Sequence, residues 1–118
     1  MENALGSYIR EKREALKKKD KRYSLRQVAI RVGVEPSYLS KVERGLPAPL
    51  SEEKIRGLSV ELGENADILL ALAGKVSLDV QMIIRKRPEL FADLIRQLRD
   101  MPDNAVLRLV REVRDGNW

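Results

Sequence analysis

The chain has 118 residues, a net charge of +5 from 23 Lys plus Arg against 18 Asp plus Glu, and no Cys or His. Without thiols there is no disulfide, thiolate metal site or cysteine nucleophile, and without imidazole no Ser-His-Asp triad or His-ligated metal. The 43% hydrophobic content supports a folded core that, with only 4% aromatics, aliphatic side chains must build, in one domain or a small domain with an added helical unit.

Apolar residues recur at spacings of three and four rather than two, so the whole chain reads as helical. Helix 1 runs from about Asn3 or Ala4 to Lys18, with Leu5, Tyr8, Ile9 and Leu16 on its buried face. The charged run Lys17–Arg22 then interrupts the pattern. Ser24 opens helix 2, about 24–32, and Gln27 three residues on completes a Ser-x-x-Gln capping box. Leu25, Val28, Ala29 and Val32 form one buried stripe, and Ile30 lies off it. Gly33 stands where a helix end wants positive φ, and Pro36 suits the first position of helix 3, about 36–44. Leu39 and Val42 bury one side of helix 3, and Gly45 ends it.

Two short helices around a Gly-centred turn are the pattern of a helix-turn-helix. Leu46–Leu50, with two prolines, is a stiff loop. Ser51 caps helix 4, in which Ile55, Leu58 and Leu62 face inward before Gly63. Helix 5 spans about Ala66–Ala73 and stops at Gly74. Three further helices follow. Ser77 caps helix 6, Pro88 opens helix 7, and Asp103 caps helix 8, which Gly116 ends.

The charge is unevenly placed. Residues 1–44 hold 12 Lys/Arg and 6 Asp/Glu, a net of +6; residues 45–74 hold 2 and 5, a net of −3; residues 75–118 hold 9 and 7, a net of +2. A basic excess confined to the helix-turn-helix third is a sign of an anion-binding face. No apolar run approaches a membrane span or a secretory signal, so the expectation is a soluble cytoplasmic protein with no membrane partner, at a bacterial or phage nucleoid.

The segment Tyr23–Gly45 resembles the Xre-type helix-turn-helix of phage Cro and C1 repressors. The resemblance rests on Ser24, Arg26-Gln27-Val28-Ala29, Gly33, Pro36–Ser40 and Glu43-Arg44-Gly45, with Ile9-Arg10-Glu11 and Arg13-Glu14 upstream. It extends over about residues 4–74 through Leu58–Gly63 and Ile68–Leu72. It implies an all-α fold: a five-helix lambda repressor-like DNA-binding domain, residues 1–74, with about three additional helices over 75–118.

The resemblance also implies that helix 3 enters the major groove. Pro36, Ser37, Ser40 and Lys41 become the base-contact candidates, and Tyr38 and Arg44, which flank them, are candidates for the DNA backbone. Lys41 can donate to guanine, and serine can donate or accept. Ser24, Leu25 and Arg26, at the start of helix 2, are phosphate candidates. Lys17, Lys18, Lys19, Lys21 and Arg22 read either as further backbone contacts or as a solvated loop. Arg13 and Glu43 are expected as a structural pair. Departures from the family are Glu35 at the start of helix 3, Leu25 in place of a glutamine, Lys12 in place of a leucine, and a longer connection over Lys17–Tyr23. Lys75, Arg85, Lys86 and Arg87 read as solvated helix ends, and Trp118 as a terminal residue or part of a dimer interface.

Helices 6 to 8 admit core completion, dimerisation or partner binding. Helices 7 and 8 carry more apolar surface than one narrow stripe, which favours dimerisation mixed with core completion. The combined expectation is a non-enzymatic transcriptional regulator, a repressor that binds a palindromic operator in double-stranded DNA as a homodimer, without cofactor or metal. A self-cleaving Ser-Lys domain, as in larger relatives, is excluded because about 44 helical residues cannot supply its β-rich unit. Two other readings stand beside it: an antitoxin that binds a toxin or effector protein through the C-terminal helices, and an adaptor that has lost DNA binding.

Overall fold

The computed structural model describes residues 4–116. Asn3, one of the two expected starts of helix 1, and Trp118 lie outside the described residues. The described residues form eight α-helices: α1 (Ala4–Lys17), α2 (Leu25–Val32), α3 (Pro36–Glu43), α4 (Glu52–Leu62), α5 (Ala66–Leu72), α6 (Leu78–Lys86), α7 (Pro88–Leu98) and α8 (Asp103–Asp115). A 3-10 turn, Lys21–Tyr23, precedes α2, and there is no strand among the described residues. No described helix is long and apolar enough to cross a membrane.

The chain divides into two compact units, Met1–Ser77 and Leu78–Trp118. In the first, α1 packs on α3, α4 and α5, while α2 packs on α3 and α4. Their facing stripes close one core, in which Ile9, Val28, Leu39, Ile55, Leu58 and Leu69 are fully enclosed. Tyr8, Leu16, Leu25 and Val32, expected inside, are half-buried at its edge.

Local chemistry sets the boundaries. Ser24 is the N-cap of α2 and not its first helical residue: its hydroxyl accepts from the Gln27 N–H at 3.2 Å. The reciprocal half of the expected capping box is not made, because the Ser24 N–H is already donated to the Lys21 carbonyl at 3.2 Å. The 3-10 turn, which periodicity does not signal, has taken that donor. Gly33 ends α2 at φ 86°, a left-handed conformation costly for any residue with a Cβ. Arg44 is the C-cap of α3 and so lies one residue past the helix. Asp103 does not cap α8: Pro102 occupies that position without a side-chain hydrogen bond. Asp103 instead begins the helix, where its carboxylate meets the positive end of the dipole. At the end of α5, Gly74 turns at φ 71° and the Lys75 N–H reaches back to the Leu70 carbonyl at 2.8 Å.

Candidate nucleic-acid interface

Several restraints position α3. Its inner face, Leu39 and Val42, is locked into the core. At its C-terminal end α1 approaches so closely that a Cβ on Gly6 would lie 2.2 Å from the Val42 carbonyl oxygen. Another restraint is Arg13, 3% exposed, whose Nε and Nη2 donate to Glu43 Oε2 and Oε1 at 2.7 and 2.9 Å. Arg13 Nη1 also donates to the Tyr23 carbonyl at 3.1 Å, and Nη2 to Glu14 at 3.1 Å. One guanidinium therefore ties α1 to the end of α3 and to the turn before α2. The Glu43 hydrogen bonds raise its already high pKa, so it stays charged despite burial.

With α3 fixed, its outer residues are defined. Ser37, Lys41 and Arg44 are exposed, and Pro36 and Ser40 are half-buried. Arg44 Nε rests against the Ser40 carbonyl at 3.3 Å. Tyr38 is half-buried and its hydroxyl donates to the Pro49 carbonyl, which fastens the helix to the stiff 46–50 loop. Glu35 is the exposed N-cap of α3 and makes no capping hydrogen bond through its side chain.

At the start of α2, Ser24 and Leu25 are half-buried and Arg26 is exposed. Lys17, Lys18, Lys19 and Lys21 are all exposed. Arg22 differs from these lysines: its guanidinium grips Asp20 through Nε at 3.1 Å to both oxygens and Nη2 at 2.7 Å. That grip, with the Arg22 backbone N–H, lowers the Asp20 pKa to about 2. The loop's free basicity thus resides in its four lysines.

Sequence reasoning left Arg10 unassigned. Arg10 on α1 borders one shallow niche with Leu25 of α2 and Ser40 and Arg44 of the α3 end, floored by Arg13, Glu14 and Glu43. It is exposed and makes no ion pair among the described residues. Its spacing of three from Arg13 was the available signal, since residues i and i+3 share a helix face. Lys12, the departure from the family's leucine, is accounted for. It lies 3.4 Å from Glu64 and over the Tyr8 ring at 5.4 Å, while the Tyr8 hydroxyl donates to Glu64 at 3.1 Å. It fastens α1 to the turn between α4 and α5. Among the described residues no His, Cys, Asp or Glu cluster could hold a metal ion.

A short α2, a tight glycine turn and an α3 with a buried inner and polar outer face define a helix-turn-helix domain. The family model described as "Helix-turn-helix domain" matches residues 4–66, more than half of the chain, and the chain belongs to that family. It is similar to an uncharacterized HTH-type transcriptional regulator of Mycobacterium tuberculosis, found in strains CDC 1551 / Oshkosh and ATCC 25618 / H37Rv. Identity is 41% over 69 residues, 58% of this chain and 45% of the relative in each case. The chain thus spans less than half the length of the curated relatives it matches. No solved structure is a significant match.

Proposed function

We propose that the chain is a sequence-specific transcriptional regulator that binds a palindromic operator as a homodimer and represses by occluding polymerase. The observation that carries this reading is the α3 face: Ser37, Lys41 and Arg44 are exposed on a helix braced by the buried Arg13–Glu43 pair. A reading helix must be rigid on its inner side and polar on its outer side. Lys41 and Ser37 are the base readers, with Pro36 and Ser40 beside them, because they lie on the outward face. Phosphate is met by Arg44, by the α2 start at Ser24, Leu25 and Arg26, and by the lysine loop. Arg10 joins them through the niche it shares with Arg44. Tyr38 and Arg22 are positioned by Pro49 and Asp20, so they contribute chiefly to shape.

Selection of bound DNA from a random pool tests this. Two half-sites centred about 10 base pairs apart, or a multiple of one helical turn, are the expected product. Affinity should fall steeply with salt. No binding even at low salt would overturn the reading in favour of an adaptor, the alternative to which the exposed Glu35 carboxylate at the α3 start lends support. The antitoxin reading draws on the exposed apolar faces of α6–α8; co-purification with a toxin would favour it.

A further inference from the structure

The second unit has no fully buried core among its described residues, and Phe91, Leu98, Val106 and Leu109 reach only half-burial. Twelve apolar side chains are buried in the first unit, whereas no residue of α6, α7 or α8 is buried. All three helices carry apolar stripes. Leu90, Leu94 and Ile95 on α7 and Leu107, Val110 and Val113 on α8 are 45% to 70% exposed. Helices of 9 to 13 residues are marginal in water without tertiary packing. Something must cover these faces.

We infer that α6–α8 form an assembly module whose hydrophobic core exists only between two copies, so that folding of this unit and pairing of two chains are one event. The inference rests on the two-copy reading proposed above and names the surface that executes it. Two observations select a second copy as the occupant. The first is charge: residues 78–116 carry eight Lys/Arg and seven Asp/Glu. A face meant for a strongly charged partner would be one-sided, whereas balanced charges suit a two-fold contact, in which each residue's partner also occurs on its own copy. The second is area. Ten large apolar side chains in this unit are exposed. At on the order of 80 Å² each they offer roughly 800 Å², the share one partner contributes to a standard stable interface. The stripes of the first unit close on a shared core of twelve buried apolar side chains, with five large apolar side chains exposed outside it.

The consequence is measurable, because α6–α8 hold 33 of the 81 α-helical residues. The test is a dilution series of the full chain, followed together by sedimentation mass and by ellipticity at 222 nm. The expected result is a fall from two chains to one, with about two-fifths of the helical signal lost over the same concentration range. Leu94→Asp with Val110→Asp should give a single chain with the same reduced signal at all concentrations. Ile30→Asp, on an exposed apolar position of the first unit, should change neither quantity. A cooperative urea transition of the helical signal that remains would establish that the first unit of the double variant is still folded. A chain that is single with full helicity overturns the inference, as does a dimer that separates without losing helicity. Assembly beyond two copies, or recovery of the missing helicity only in complex with a different protein, also overturns it. A wild type that pairs as expected but binds no DNA would overturn the operator reading and leave this one standing.

Discussion

Removing Glu43 should be among the most damaging single changes in the first unit. The carboxylate is 7% exposed and receives two hydrogen bonds from Arg13, itself 3% exposed. Breaking one side of a buried pair costs about 3–5 kcal/mol, because the remaining charge stays desolvated. Glu43→Leu should sit near the lower limit, about 3 kcal/mol, since Arg13 retains the Tyr23 carbonyl and Glu14. Arg13→Met should cost more, about 4–5 kcal/mol at neutral pH. It strands a carboxylate with no other hydrogen-bond donor among the described residues. The double variant Arg13→Met, Glu43→Leu should recover most of the loss, because an apolar pair of similar volume carries no desolvation penalty. Urea unfolding followed by tyrosine fluorescence is the assay, and all three tyrosines, Tyr8, Tyr23 and Tyr38, lie in the first unit. Against a typical total of about 5–15 kcal/mol, such losses move the midpoint far. A Glu43→Leu cost under about 1 kcal/mol, the value of a surface pair, would refute the reasoning. So would a double variant whose cost equals the sum of the singles.

Other expectations are narrower. Gly6→Ala should destabilise by about 1–3 kcal/mol in the same assay, since its Cβ would strike the Val42 carbonyl; Gly57→Ala, whose Cβ would meet Val32 Cγ1 at an ordinary 3.5 Å, should stabilise by up to about 1 kcal/mol. Lys41→Ala should relax preference at one base position, read by repeating the selection, while Arg10→Ala should weaken all sequences alike and reduce the salt slope by about 1. Replacing Lys17, Lys18 and Lys19 by Ala should likewise weaken binding without changing the selected sequence, and an unchanged salt slope would mean the loop touches nothing. Because the folded Asp20 pKa is depressed to about 2, its stabilisation is present above the ordinary carboxylate range and is lost as pH falls through about 2. The melting temperatures of wild type and Asp20→Asn should therefore differ at neutral pH and converge across that acidic window.

What is local was legible in the residue order. Ser24, Ser51, Gly33 and Gly63 could be read as helix ends because a cap hydrogen bond or a left-handed turn involves residues within a few positions of one another. The stripes of α2, α3 and α4 could be read because periodicity reports which side of a helix is apolar. The interface candidates Ser37, Lys41 and Arg44 came from the family resemblance, and periodicity placed them on the side opposite Leu39 and Val42. Matters that depend on helices distant in sequence became visible in the folded arrangement. It paired Lys12 with Glu64 and brought Arg10 to the niche beside Arg44. It also separated two kinds of amphipathic helix that look alike in sequence. The stripes of α1–α5 close on each other, and those of α6–α8 remain open. Periodicity states that a face is apolar; what covers it depends on where other helices lie in space, including, by the inference above, those of a second chain.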